Sequence, residues 1–385
     1  MAVAGAIMAS LAIVLSACGS SPSSATNRSK PQAGPSAAEK KRLLANLAAL
    51  EGYPKFTPPG PALDAKRLPS STLVAVIDNT PSVGPLEQAS AGIISAAKTV
   101  GLTTKLLNGG ADNTATDDIS LLEEAVNLHP AVVLQVGILT ALETAGLTYA
   151  KAHHVPVIAV EDAPPVGGVA GEGSGPYIAG AAQQNDYAEG KVVAEYVGAH
   201  GPADASIGVI TSNDIVPSNE IYSGFTTELH SVCPKCTVFA QNVDTADWTT
   251  EVTPTVTSML DAHPTMTYLF PDVDGMAPWV TPALTAATHR PTVISVNATP
   301  GAAMSAVKSG LFTAEAGDSW TLDGWYAFDA ALRAMLHLPV QTNPAEPVTF
   351  FTTAEMKAKN LNPNSSAMLF GDAFQAGFRK LWGLG

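Results

Sequence analysis

Carboxylates and amides recur along this chain wherever an apolar, β-branched run ends. Asp78 and Asn79 follow Leu73-Val74-Ala75-Val76-Ile77, and Ser82 stands in the same turn. Glu161 and Asp162 follow the run that ends at Val160, and Asp272, Asp274, Asn297 and Asp318, the last close to Trp320, follow later runs. Asn219 and Trp248 open helical stretches. Acids and amides converging on one cleft with a few indoles suit a polyhydroxylated or aminated small molecule, because each hydroxyl needs both an acceptor and a donor. The competing role is capping: an acidic residue at a strand end also satisfies the first N–H groups of the next helix.

Covalent chemistry is not indicated. The turn Asp78-Asn79-Thr80-Pro81-Ser82-Val83-Gly84 lacks the G-x-G-x-x-G of a dinucleotide site, and no G-x-S-x-G elbow, Walker motif or H-E-x-x-H is present. Gly171-Glu172-Gly173-Ser174-Gly175 precedes a strand instead of following one, so it is not a phosphate cradle. His129, His263 and His337 fall near helix C-termini, where an imidazole serves the helix end. The chain reads as a non-enzyme with no catalytic residue, no metal site and no cofactor.

Two cores fit in 385 residues, 46% of them hydrophobic. A net charge of -14 argues against nucleic acid, which needs clustered Lys and Arg. Met1 to Ala17 is uncharged, largely apolar and short for a membrane span, so it reads as an export signal, and Leu15-Ser16-Ala17-Cys18 resembles the bacterial lipobox. The expectation is a signal peptide over 1–18, acylation at Cys18, and a flexible Ser/Pro/Gly-rich tether over 19–35 leading to a body held at the outer face of the cell membrane. In that oxidising setting Cys233 and Cys236 read as a local disulfide; a thioredoxin-like role would need the pair to open a helix after a strand, and zinc would need two more ligands.

A repeating frame must position the strand-end residues. Strands are expected near Leu73, Thr103, Ala131 and Val157, separated by helices over Leu86 to Val100, Asp118 to Leu128 and Ala141 to His153. Asp117 or Asp118 and Thr140 stand where N-caps belong. A short strand at Tyr177 to Ala179 and a helix over Tyr187 to Gly198 lead to a second series. Its strands begin at Ile207, Thr237, Thr267 and Thr292, and its helices cover Asn219 to Ser231, Trp248 to Ala262, Ala277 to Ala287 and Gly301 to Lys308, the last capped by Thr299 before Pro300. Two series of matching period imply an α/β protein with two doubly wound parallel-sheet lobes and a cleft between them. Residues 36–68 form an N-terminal helix, striped by Leu43, Leu44, Leu47 and Leu50, and an extended proline-rich arm; a long helix from Trp320 to Leu336, a strand from Val348 to Thr352 and an aromatic helix from Asp372 to Trp382 follow the second series. The tail aromatics Phe374, Phe378, Leu381 and Trp382 should pack on the body, together with the leucine stripe of the first helix.

The order of these features resembles the type I periplasmic binding proteins of the ribose and galactose branch, the receptors of sugar ABC importers. The similarity runs from about Ser71 to His337 and is carried by Leu73 to Gly84, Val155 to Asp162, Asn185 to Gly190, Gly224-Phe225, His263-Pro264 and Asn297 to Pro300. It implies two lobes on a three-strand hinge: one lobe of 69–183 plus 319–343, a second of 184–318 plus 344–352, and a tail of 353–385. It also implies a monomer that captures a small polar solute, a sugar, polyol or amino sugar, and hands it to a membrane permease, or in the alternative to a membrane signalling partner. Trp248 fits the family's aromatic position, Asn297 stands where the family has an aspartate, and Asp318 where it has an amide. Pro85 and Leu86 replace stacking aromatics, Ile221 replaces an arginine, and Glu161-Asp162 replaces an Asp-Arg pair. The cleft is therefore expected to be more acidic than that of a monosaccharide receptor, leaving room for an amine-bearing ligand.

Overall fold

The computed structural model describes residues 34–385 except 82, 111–113, 162–177 and 341–343. Ser82, Asp162, Cys18, the signal peptide and nearly all of the tether lie outside the described residues.

Chain order builds two sheets. The first helix is α1 (Ala37–Ala49), capped by the Ser36 hydroxyl. Then come β1 (Leu73–Asp78), α2 (Gly84–Val100), β2 (Thr103–Asn108), α3 (Ala115–Asn127), β3 (Val132–Val136), α4 (Thr144–Ala152), β4 (Val157–Val160) and β5 (Ile178–Ala182). These strands form one parallel sheet in the order β2-β1-β3-β4-β5. The central strands are apolar and buried from end to end, as a parallel strand covered on both faces must be. The second series is α5 (Asp186–His200), β6 (Ser206–Thr211), α6 (Val216–Val232), β7 (Thr237–Asn242), α7 (Trp248–Ala262), β8 (Tyr268–Pro271), α8 (Ala277–Ala286), β9 (Thr292–Val296), α9 (Ala302–Ser309) and β10 (Ala314–Gly317). After α10 (Trp320–Met335), β11 (Thr349–Thr352) joins this second sheet antiparallel to β10, giving the order β11-β10-β9-β8-β6-β7. The tail holds α11 (Thr353–Ala358), α12 (Ser366–Phe370) and α13 (Ala373–Leu381).

Each sheet carries an apolar cluster on both faces. The first packs α2 and α10 on one side and α3 and α4 on the other; the second packs α5 and α6 on one side and α7, α8 and α9 on the other. In both lobes one helix pair crosses at glycines. Gly92 of α2 meets the Thr321 carbonyl of α10, and Gly190 of α5 meets the Ile221 carbonyl of α6, at distances no Cβ can share. Gly190→Ala must push α5 off α6, and overpacking of this kind costs about 1–3 kcal/mol. A thermal melt of the variant should fall by several degrees, and an unchanged melt would show that the helices are free to separate.

Several local expectations are corrected. Thr114, not Asp117 or Asp118, caps α3; Asp117 completes its capping box as the third helical residue, because a threonine hydroxyl and an acid three residues on satisfy each other's N–H groups. Thr140 begins a 3₁₀ turn, and α4 starts only at Thr144. Thr299 does not cap α9: its N–H and hydroxyl both donate to Asp274, a stronger charged acceptor. Strand β10 and helices α11 and α12 carry too short a pattern to be read from periodicity.

The leucine stripe and the aromatic tail do not meet through α1. Leu43 and Leu47 pack on α5 in the second lobe while Leu44 stays exposed, whereas Phe374, Phe378, Leu381 and Trp382 join the first-lobe core beside Trp325 and Tyr326. The arm between them crosses the molecule. The Leu50 carbonyl accepts from the Phe350 N–H on β11, while Leu63 and Ala65 donate to the Leu381 and Trp382 carbonyls. The tail crosses too, from α12 in the second core to α13 in the first, with Tyr53 against Gly371 where the two segments pass. These two outer straps add to the inner crossings at 183–185 and 318–319 and to the described residues 336–340 and 344–348 between α10 and β11.

Candidate ligand-binding site

Three turns at the carboxyl ends of the strands are held in the left-handed region. Gly137 after β3 has φ 72°, Glu161 after β4 has φ 57°, and Asn297 and Ala298 after β9 have φ 86° and 48°. Glycine accepts this backbone freely, but Glu, Asn and Ala each carry a cost of about 1–3 kcal/mol that surrounding structure must sustain. Gly317 permits the arrangement at β10, since a side chain there would strike the Asn297-Ala298 backbone.

Hydrogen bonds join these turns to the inner crossings. Asn185 N–H donates to Asp318 Oδ2 at 2.9 Å, Gln184 Nε2 to the Asp318 carbonyl at 3.3 Å, and Asn185 Nδ2 to the Glu346 carbonyl at 3.3 Å. Asn297 donates its N–H to Glu189 Oε2 at 3.0 Å and its side-chain amide to Gln184 Oε1 at 3.2 Å. All three inner crossings thus meet at one polar centre.

That centre is crowded with acids. Glu161, Asp186, Glu189, Asp318, Asp323 and Glu346 are each at most 3% exposed. Both carboxylate oxygens of Glu161, Asp323 and Glu346, and one each of Glu189 and Asp318, receive no N–H or hydroxyl. The ion pairs Arg42–Glu39, Lys191–Glu228, Arg333–Asp329 and Lys359–Glu355 involve none of Glu161, Glu189, Asp318, Asp323 and Glu346. Burial pushes Asp318 up to about 8 and Asp323 up to about 6; it also drives Glu161, Glu189 and Glu346 well above the carboxylate range, with the charges of neighbouring acids adding to it. Asp323 bonds to the carboxyls of both Glu161 and Glu346, so these acids hold one another through protons.

The other expected site residues fall into separate groups. Asp274 receives Thr299, and the Thr299 hydroxyl receives Trp320 Nε1 at 3.2 Å, with Glu315 bonded to Asp274 behind them. Asp272 receives the Ser218 hydroxyl, Ser218 receives the Ser212 N–H, and Ser212 receives Trp248 Nε1 at 2.8 Å. Asp78 is buried at the end of β1, where Ser90 and the Thr80 N–H hold it against the upward pull of burial, and Asn79 donates to the Gly137 carbonyl. Asn219 is exposed on α6, which starts at Val216, and spends its amide on the Asn213 and Ile215 carbonyls; no contact brings it to the acid centre. The sequence reading therefore reaches Glu161, Asn297 and Asp318 but misses Glu189, Asp323 and Glu346. The first two are buried acids on helix faces, legible only as charges on otherwise apolar stripes; Glu346 lies in a proline-bounded connector that carries no pattern. Cys233 and Cys236 are bonded to each other after α6, away from this centre.

Hollows elsewhere on the surface use none of these residues. One of about 470 Å³ is lined by Leu44, Glu51, Tyr196, His200 and Phe350, and another of about 360 Å³ by Phe239, Glu251, Pro254 and His263.

The periplasmic binding protein domain family matches residues 79–337, and the chain belongs to that family. No curated protein matches it. Among solved structures it is similar to a solute binding protein from Agrobacterium vitis bound with alpha-D-tagatopyranose (16% identity, 78% of this chain and 100% of that one, TM-score 0.65). It is also similar to an arabinose binding protein from Geobacillus stearothermophilus (17%, 75% and 99%, 0.63) and to a Mycobacterium smegmatis protein in complex with beta-D-fucofuranose (21%, 75% and 93%, 0.60). At these identities the likeness establishes a common fold.

Proposed function

We propose that this chain is an extracytoplasmic solute-binding receptor that takes a sugar, polyol or amino sugar between its lobes and delivers it to an ABC importer. The observation that carries the reading is the buried polar centre where the inner crossings meet, on a chain of the periplasmic binding protein family. The crossings at 183–185, 318–319 and 344–348 act as the hinge, and closure of the lobes over the solute is what the membrane permease reads. Met1 to Cys18 directs export and acylation, so the receptor works as a monomer tethered outside the membrane. Among the described residues no helix is long and apolar enough to cross a membrane.

A thermal-shift panel of pentoses, hexoses, polyols and amino sugars tests this. A true solute at about a hundred times its dissociation constant stabilises by about 2.7 kcal/mol, a rise of several degrees. Hits should cluster in one chemical class. Silence from a folded, ligand-free chain across the whole panel would contradict the reading.

A further inference from the structure

We propose that the acids at the inner crossings, Glu161, Asp318, Asp323 and Glu346 with Glu189 behind them, receive a protonated amine, so that the solute is an amino sugar or aminopolyol rather than a neutral carbohydrate. The inference rests on the receptor reading above and narrows it.

These carboxyls come from separate parts of the chain. Glu161 follows β4, Glu189 lies in α5, Asp318 follows β10, Asp323 lies in the first turn of α10, and Glu346 stands in the connector to β11. Glu346 faces Asp323, Asp318 and Glu161, and Glu161 faces Asp323, Asp186 and Asp318. Glu161 is 3% exposed and Glu346 2%; no N–H or hydroxyl group reaches an oxygen of either, and each shares a bond with the Asp323 carboxyl. A buried carboxylate without a donor or a counter-charge is costly, and two things can neutralise it: a proton or a cation. No Lys or Arg forms an ion pair with the cluster among the described residues. Nor is any group of three or more His, Cys, Asp or Glu among them placed to hold a metal ion. An ammonium group on a carbon frame meets the remaining requirement, because it brings both the charge and three N–H donors. A neutral hydroxyl supplies a donor but leaves the charge uncompensated. In the empty chain shared protons fill that role, so an arriving ammonium displaces protons into solution.

Titration calorimetry on the purified chain at pH 7 distinguishes the possibilities with matched pairs: D-glucosamine against D-glucose, D-galactosamine against D-galactose, and 1-amino-1-deoxysorbitol against sorbitol. The amine member of at least one pair should bind tighter than its neutral partner by about tenfold or more, the range of a hydrogen bond to a charged group. Its heat should vary with the ionisation enthalpy of the buffer, reporting proton release. Glu161→Gln and Glu346→Gln should each erase the preference while keeping the fold, as neutral amides remove charge without changing shape. Equal or tighter binding of the neutral members would overturn the inference and leave the receptor reading standing. Silence from both members of every pair would overturn both. A calcium chloride titration whose heat vanishes in both variants would overturn it in favour of an ion.

Discussion

Trp382→Ala will lower the unfolding free energy by about 3–5 kcal/mol, the usual cost of truncating a buried tryptophan. Trp382 is fully buried, lies flat on Trp325 with ring centroids 5.4 Å apart and 4° between planes, and meets Phe328 edge-on at 5.5 Å. Its Nε1 donates to Asp329 Oδ1 at 2.8 Å. Asp329 is itself buried and paired with Arg333 at 2.6 Å, and Arg333 reaches the Pro61 carbonyl at 2.9 Å. The indole is therefore the junction of the tail, α10 and the N-terminal arm. Removing it opens a cavity in the first-lobe core and takes a donor from a buried carboxylate. At about 2–4 °C per kcal/mol for a domain of this size, the melting temperature should fall by about 10 °C. Trp382→Phe, which keeps most of the volume and loses only the N–H, should cost far less. A Trp382→Ala chain melting within a degree or two of the parent would show that the tail is not part of the first core.

The empty chain will lose stability as pH rises from about 5 to 8. Asp318 is pushed up to about 8 and Asp323 to about 6 by burial, so the folded chain keeps protons that the unfolded chain releases near pH 4. Stability from such groups is fully present below the unfolded pKa and disappears as pH climbs through the folded one. Asp274, pushed up to about 6, Glu220 to about 7, and Glu143, hydrogen-bonded to Gln135 and pushed up to about 8, act in the same direction, each chiefly through burial. Around Glu346 the facing groups are Asp323, Asp318, Glu161 and Tyr326, none of which brings a positive charge. The melting temperature should drop on the order of 5 °C or more between pH 5 and pH 8. Glu346→Gln should flatten that slope and stabilise the empty chain at pH 8. A melting temperature that climbs steadily over the same interval would contradict the account of the acid centre.

The two lobes were legible because buried parallel strands write themselves as unbroken apolar runs and the helices between them keep a 3.6-residue period. The strand-end residues Glu161 and Asn297 follow from position, whereas Asp318 stands out by its nearness to Trp320, since β10 before it is too short to be read. What escaped depends on tertiary contact. Whether Thr299 caps α9 or donates to Asp274 is decided by an acid 25 residues away. Leu43 and Leu47 announce that α1 buries a stripe, but not that α5 receives it, since any apolar face would serve. Asp323 and Glu189 read only as charges on otherwise apolar helix stripes, and nothing local says that α10 and α5 bring those two charges to one centre.

Hydrogen–deuterium exchange with and without the solute found by the paired titration tests the central claim most directly, because it asks where the ligand acts. Saturating solute should slow exchange at the amides of 183–189, 317–323, 344–348, Glu161 and Asn297, and leave the outer faces of α3 and α7 unchanged. Protection confined instead to the hollow beside Leu44 and Tyr196, or to the one beside Phe239 and His263, would place the ligand outside the interlobe centre and contradict the account.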